Sequence, residues 1–476
     1  MYPCFKPTVN EKLKTFWVYK SRKHLGGPKM KYDVVVIGAS AGGLTATISA
    51  KRFYPNRSVL IIRKENVNMV PCGIPYIFGT LKSVDDDILP VEKFLESLGV
   101  DILMDEVTEI DPRAKLVRTA SGKEIAWEKL VLATGSKPAK PDFLGSELEG
   151  VYTVPKDYEY LKVLHRKVAE SEKIVIVGGG FIALEVGDEI RKLGKDVTLI
   201  VRSRLLRSSF DPEFSKMVEE RLREVGINIV YGQVERLVGD GKVERVKLVD
   251  GTEIPTDLVI LSTGYRPNAE LAVKAGLKVT RYGIWTDEYM RTSHPDIFAV
   301  GDCVEHRDFF TGKPYGLMLA STATFEARIA GANLFKLQIV RENRRTIGVY
   351  STNVAGLTLA AAGLTEKAAK KEGFEVIVGY GKGPDKHPAN FPDTSMVAIK
   401  LIFSRDRGAI LGAQIAGGKS VGEMINILAL AIQKRLTASE LYTLQIATHP
   451  LLTASPVGYQ VVKAAEDALA KLRMGN

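Results

Sequence analysis

A glycine-rich turn occurs twice in this chain, 140 residues apart, as Gly38-Ala-Ser-Ala-Gly-Gly43 and Gly178-Gly-Gly-Phe-Ile-Ala183. Each follows an apolar run, Tyr32-Asp-Val-Val-Val-Ile37 and Lys173-Ile-Val-Ile-Val177, so each stands where a buried strand turns into a helix. Small residues there let the backbone approach a pyrophosphate, and the positive helix terminus stabilises its charge. The pair predicts two sites, one suited to a flavin dinucleotide (FAD) and one to a nicotinamide dinucleotide. Gly38, Ser40, Ala41, Gly42 and Gly43 would form the first, and Gly178, Gly180, Phe181 and Ile182 the second.

An internal repeat surrounds the two turns. Each is followed by a hairpin, with Ser121-Gly122 at the bend in the first copy and Asp250-Gly251 in the second. Each hairpin leads to a Thr-Gly-x-x-Pro turn, Thr134-Gly-Ser-Lys-Pro138 and Thr263-Gly-Tyr-Arg-Pro267, which puts Thr134, Gly135, Thr263 and Gly264 beside the nucleotides. After the second copy comes Asp296-Ile-Phe-Ala-Val-Gly-Asp302, a strand ending in Gly301 and Asp302. A carboxylate there can accept hydrogen bonds from sugar hydroxyls. Residues 317–335 have helical spacing and would return a helix N-terminus to the flavin.

These features predict an α/β chain with two Rossmann-like dinucleotide-binding domains, the second inserted in the first. Residues 30–150 and 265–340 would bind FAD, and 151–264 would bind NAD(P). A third segment, 345–476, carries a strand at Met396–Phe403 and a helix at Val421–Arg435 without any glycine turn of this kind. It reads as an α+β dimerisation domain.

Composition narrows the function classes. At 476 residues the chain holds about three domains, and it lacks an apolar run of about 18 residues, so no membrane is expected. The net charge of +10 is concentrated at one end, where residues 1–30 hold seven Lys/Arg against Glu11. The near-balanced remainder argues against a nucleic-acid partner. Residues 1–29 lack the apolar centre of a secretory signal; an upstream translation artefact, a disordered arm and a small partner-binding segment are the three readings. Cys4, Cys72 and Cys303 offer no CxxC pair and no disulfide framework, which fits a reducing cytoplasm. The six histidines show no metal spacing, so no metal is expected.

Across residues 31–476 the motifs quoted above resemble the pyridine-nucleotide disulfide oxidoreductase superfamily. Val70-Pro-Cys72-Gly-Ile-Pro-Tyr76 resembles its single-cysteine branch, which contains coenzyme A disulfide reductases, coenzyme A-dependent sulfur or polysulfide reductases, and NADH oxidases and peroxidases. The dithiol branch has a second cysteine five residues earlier, where this chain has Val67. A lone cysteine cannot close an internal disulfide, so its oxidised form must be a mixed disulfide, a persulfide or a sulfenic acid. The resemblance places Cys72 over the flavin as the catalytic thiol, with a thiolate stabilised by the helix that opens at Gly42–Gly43. Cys303, after Asp302, reads as packing.

Other roles rest on the same resemblance. Ser40 replaces the middle glycine of the first turn, and Arg63 falls where a ribose-binding acid is usual, with Glu65 two residues on. After Val197–Val201 an acid is again missing, and Arg202 and Arg204 suit a 2′-phosphate, which predicts NADPH with NADH as an alternative or companion; solvated surface arginines are the bland reading. Glu185 would lie near the nicotinamide ring. His449, in Thr448-His449-Pro450, is either a proton donor near the sulfur, reached across a dimer, or a capping histidine; His387 is a weaker candidate. Lys51, Arg52 and Tyr76 would contact coenzyme A.

The reading that follows is a homodimeric, FAD-dependent NAD(P)H oxidoreductase. It reduces the sulfur–sulfur bond of coenzyme A disulfide, a coenzyme A persulfide or polysulfide through Cys72. The nearest alternative is an NADH oxidase or peroxidase that cycles Cys72 through a sulfenic acid. A nucleotide-dependent binding or signalling module, and an electron-carrier reductase in which Cys72 is incidental, are further alternatives.

Overall fold

A computed structural model describes residues 29–141, 143–342 and 345–474. The readings made for the basic extension lie outside the described residues up to position 28.

Val34, Val35 and Val36 are wholly buried because their strand, Lys29–Ile37, is covered on both faces, the usual fate of a parallel strand. It pairs in parallel with Val59–Arg63 on one side and with Glu124–Leu132 on the other. Val100–Met104 extends one edge, also in parallel. The hairpin predicted around Ser121-Gly122 forms from Leu116–Thr119 and Glu124–Leu132, and Ile297–Ala299 joins the far end of the latter strand in parallel. The first sheet is therefore built from chain segments that lie before and after the second domain.

That second domain repeats the plan with five parallel strands in the order Asn228–Tyr231, Asp196–Val201, Lys173–Val177, Leu258–Leu261 and Val151–Thr153. The two Thr-Gly-x-x-Pro turns mark where the chain leaves the first domain and returns. Their arms, Ser136–Pro138 and Tyr265–Pro267, pair as a short antiparallel ribbon.

Within the first domain, helix Ala41–Phe53 packs closely on helix Ala320–Ala332. A Cβ at Gly331 would lie 2.6 Å from the Ser49 Cβ, so the small residues predicted at 317–335 are needed for contact between the helices. The C-terminal segment folds into a five-stranded antiparallel sheet against which helices Val421–Gln433 and Gln460–Met474 pack.

A buried ionic cluster joins this sheet to the second domain. Lys400, 2% exposed, lies 3.0 Å from Asp211, 2.6 Å from Glu213 and 2.7 Å from Glu366. Gln414 donates to Asp211 at 2.6 Å, and the Glu366 backbone N–H donates to the same carboxylate at 3.0 Å. Burial works against the Asp211 charge, but Gln414, the Glu366 N–H and Lys400 more than offset it and hold the carboxyl below its ordinary range. Removing the cation leaves buried negative charge without compensation. Lys400→Met is expected to lower stability by about 3–5 kcal/mol, measured as a fall in the denaturant midpoint of the holoenzyme; a change within about 0.5 kcal/mol would show that the cluster is energetically idle.

Candidate active site

Both glycine turns are held by the same contact. Gly38 has φ +101°, and a Cβ on it would stand 2.3 Å from the Ala133 carbonyl oxygen; Gly178, at φ +149°, would meet the Ser262 oxygen at 2.2 Å. Those oxygens precede Thr134-Gly135 and Thr263-Gly264, so each turn closes against its own Thr-Gly partner. A Cβ at Gly43 would lie 1.8 Å from the Gly38 oxygen, which explains glycine at that place behind the first turn. The helices that follow begin at Ala41 and Phe181, with Ser40 and Gly180 as N-caps, no side-chain cap and no acidic residue in the first turn. Their first N–H groups are thus left for an anionic ligand, which fits a pyrophosphate at each turn.

The two turns open into one cleft of about 1660 Å³. Gly38, Ser40, Ala41, Gly42, Arg63, Thr134, Gly135, Gly301 and Asp302 line it from the first domain, and Gly178, Gly180, Phe181, Ile182, Glu185, Arg202, Arg204, Thr263 and Gly264 line it from the second. Helix Ala320–Ala332 brings its uncapped start to the same cleft, as its spacing predicts. Arg63 is buried against Glu92 at 2.5 Å, yet its Nε and Nη1 have no partner, two donors that suit a bound nucleotide better than a solvated role. Arg204 likewise leaves Nη1 unpartnered while Nη2 donates to the Arg207 carbonyl at 3.1 Å; Arg202 is exposed.

Cys72 stands in the same cleft, unpaired and solvent-accessible, just before the 3₁₀ turn Ile74–Ile77. The protein around it does not favour the thiolate. Desolvation pushes the thiol up, the Glu185, Asp302 and Asp87 carboxylates add to it, and Lys156 alone of the named neighbours acts the other way. Burial first, and then these carboxylates, act against the stabilisation expected from the Gly42–Gly43 helix.

Glu185 lies on the helix Phe181–Arg191 and accepts a hydrogen bond from the Thr352 hydroxyl at 2.6 Å. Burial pushes its carboxyl up to about 7, against the Thr352 bond and with a further push from Glu189. Thr352 belongs to strand Val349–Val354 of the C-terminal domain, whose Tyr350 ring stacks on Phe181 at 5.5 Å. The third domain thus helps to build the cleft.

Sequence reasoning missed several groups here. Asp302 accepts from Ser136 and from the Lys156 ammonium, each at 2.7 Å, and Glu326 takes the Gly301 N–H at 2.8 Å. Lys156 lies in a connecting segment, and Glu326 in an Ala-rich helix, so neither carried a local motif.

Other expected residues lie elsewhere. Lys51 and Arg52 are in the last turn of the helix whose first turn faces the cleft; the Lys51 ammonium is taken by the Pro55 and Arg57 carbonyls at 3.0 and 3.1 Å, and Arg52 is exposed. Tyr76 sits behind Cys72 without lining the cleft, and its hydroxyl is pushed up by burial and by Glu185. His449 is outside the cleft of its own chain, in an exposed loop where its Nδ1 accepts from the Leu451 N–H at 3.2 Å, a local capping contact. His387 packs on that loop through the Thr453 carbonyl at 3.0 Å. Cys303 is fully buried. No helix among the described residues is long and apolar enough to cross a membrane.

Residues 32–327 match the family model described as pyridine nucleotide-disulphide oxidoreductase, and 349–458 match the dimerisation domain of that family. The chain is 33% identical to a Methanocaldococcus jannaschii protein named NADH oxidase, over 92% of this chain and 99% of that one. It is 34% identical to the NAD(P)H sulfur oxidoreductase (CoA-dependent) of Pyrococcus furiosus, over 88% and 96%. Among solved structures it superposes on the NAD-dependent persulfide reductase from A. fulgidus with a TM-score of 0.86 and 34% identity, covering 94% of this chain and 84% of the other.

The Glu185 carboxyl provides a test of the site. In the holoenzyme, reduction by NAD(P)H is expected to follow an ionisation at about 7 that is absent from Glu185→Gln; superimposable pH profiles would remove Glu185 from the acid–base chemistry of the cleft.

Proposed function

The chain belongs to the pyridine nucleotide-disulphide oxidoreductase family, and from that premise we propose that it reduces sulfur–sulfur bonds of coenzyme A-linked or polysulfide substrates through Cys72. It is an oxidoreductase with FAD and NAD(P)H as cofactors. The observation that carries the proposal is a single free cysteine in the cleft that both nucleotide cradles share. FAD, when bound, supplies the hydride acceptor that turns NAD(P)H oxidation into an electron pair for sulfur.

The residues divide the remaining work. The first cradle, with Arg63 and Asp302, would hold FAD; the second, with Arg202 and Arg204, would hold the nicotinamide nucleotide and its 2′-phosphate, a preference for NADPH with NADH retained. The Cys72 thiolate attacks coenzyme A disulfide, forming a Cys72–coenzyme A disulfide and releasing one coenzyme A thiolate. Two electrons and one proton then cleave that bond, returning the Cys72 thiolate and releasing the second coenzyme A as thiol. A persulfide passes through the same exchange and yields sulfide. Glu185, with its carboxyl near neutrality, is the nearby group of the same chain that can hold a proton at the cleft.

A homodimer is part of the proposal. Leu451, Leu452 and Val457 are 50%, 70% and 82% exposed, an apolar group beside His449 in the segment matched by the dimerisation model. A partner subunit would cover it and receive His449. The similarity to an NADH oxidase keeps oxygen reduction as the second reading, with Cys72 as sulfenic acid.

Anaerobic NADPH oxidation separates the two. Wild type is expected to turn over rapidly with coenzyme A disulfide, or with polysulfide plus coenzyme A, and Cys72→Ser to fall to background while still reducing a dye. Fast oxygen reduction with sluggish sulfur turnover would select the oxidase reading, and full activity in Cys72→Ser would overturn both. In the same assay Arg202→Ala is expected to raise the KM for NADPH about tenfold, or about 1.4 kcal/mol, and to leave NADH unchanged.

A further inference from the structure

Behind Cys72 lies an acid that no nucleotide motif contains. Asp87 is 4% exposed, and its Oδ2 has no hydrogen-bond partner. Its other oxygen is pressed against the residue after the redox cysteine, since a Cβ at Gly73 would stand 1.8 Å from Asp87 Oδ1. The two segments are stitched together on either side of that contact. The Val70 N–H donates to the Asp87 carbonyl at 3.0 Å, the Leu89 N–H donates to the Asn68 carbonyl at 2.8 Å, and Met69 and Ile88 form an antiparallel bridge. A side chain at position 73 would have to push the Asp87 carboxyl aside.

We propose that Asp87 is the positioning and charge-setting residue of the Cys72 turn: its carboxyl fixes the Cys72-Gly73 backbone by contact, and its ionised form opposes the Cys72 thiolate. The neutral acid is therefore the state in which Cys72 is most readily ionised. Burial without a counter-ion supports this, because it pushes the Asp87 carboxyl up to about 6. Besides burial, the groups that act on Cys72 include Glu185 from the nicotinamide-domain helix, Lys156 from the segment after Val151–Thr153, Asp302 from the turn after Ile297–Ala299, and Asp87 itself; Tyr76 lies beside it. Around Asp87 the neighbouring charges are Asp85 and Asp86 on its own turn, with Asp85 accepting from the Tyr158 hydroxyl of helix Tyr158–Glu170. Lys156 is engaged by Asp302. Asp87 and the Cys72 thiol, set on the same turn, cannot both be charged without an electrostatic cost.

The sign follows from these groups. Below about pH 6 Asp87 is neutral and Cys72 has its lower ionisation point; above it, the added charge raises that point and slows the growth of the thiolate. The proposal rests on Cys72 being the reactive thiol of the cleft, and its test reads the thiol directly, so it stands or falls separately from the acceptor that the enzyme reduces. The measurement is the rate of iodoacetamide alkylation at Cys72 in the FAD-loaded enzyme, quantified on the Cys72 peptide, from about pH 5 to about pH 10. Wild type is expected to show a shoulder near pH 6 before the main rise. Asp87→Asn should lose the shoulder and react roughly three- to tenfold faster above it. An FAD-retaining Asp87→Asn with the wild-type profile would overturn the proposal. Should that variant fail to fold, the curve of an FAD-retaining Glu185→Gln enzyme, which lacks the other carboxyl that titrates at about 7, decides alone: a single ionisation with no shoulder overturns it.

Discussion

Two backbone carbonyls, those of Ala133 and Ser262, occupy the space where a side chain at Gly38 and Gly178 would begin. Each strand-to-helix turn can close only because no Cβ competes with the carbonyl for that space, and closing it aims the N–H groups of an uncapped helix at the cleft. The carbonyls immediately precede the Thr-Gly-x-x-Pro segments whose arms form the ribbon between the domains. One contact, used twice, therefore shapes both anion cradles and sets them facing the same 1660 Å³ of space. Cys72 lines the same space as the elements of the two cradles.

The charge around the thiol follows a second rule. Among the described residues that act on Cys72 are the carboxylates of Glu185, Asp302 and Asp87 and the cation of Lys156, itself engaged by Asp302. Together with burial, such a setting pushes the free thiol above its ordinary range. Several groups that line the cleft without partners, Arg63 Nε and Nη1, Arg204 Nη1 and the helix starts, are donors, and they suit the phosphates and sugars of two dinucleotides. The protein is thus organised to receive negative charge at the cradles and to restrain it at the sulfur.

The fold was legible in the sequence to the extent that it is encoded locally. The glycine turns, the paired hairpins and Asp296–Asp302 are short patterns with one backbone solution each, and the strands and connections formed where they were expected. Cys72 and Glu185 entered the site through the resemblance to relatives, and the structure brings both into the cleft. What the sequence did not reveal depends on contacts between distant segments. Asp87 meets Gly73, Lys156 meets Asp302, Thr352 meets Glu185, and Lys400 gathers carboxylates from two domains. None of these pairs has a spacing that a pattern could read. Lys51 and Arg52 show the opposite case, since charge on a helix face says nothing of whether its turn reaches the cleft; that helix points its first turn there and its last turn away.

The central claim is that electrons from NADPH reach Cys72 sulfur and do not stop at the flavin. An anaerobic reductive titration tests it most directly, using enzyme first treated with coenzyme A disulfide and freed of excess reagent. The first equivalent of NADPH is expected to release one coenzyme A thiol per subunit while the visible flavin absorbance persists, with bleaching beginning only at the second. Immediate bleaching without thiol release would contradict it.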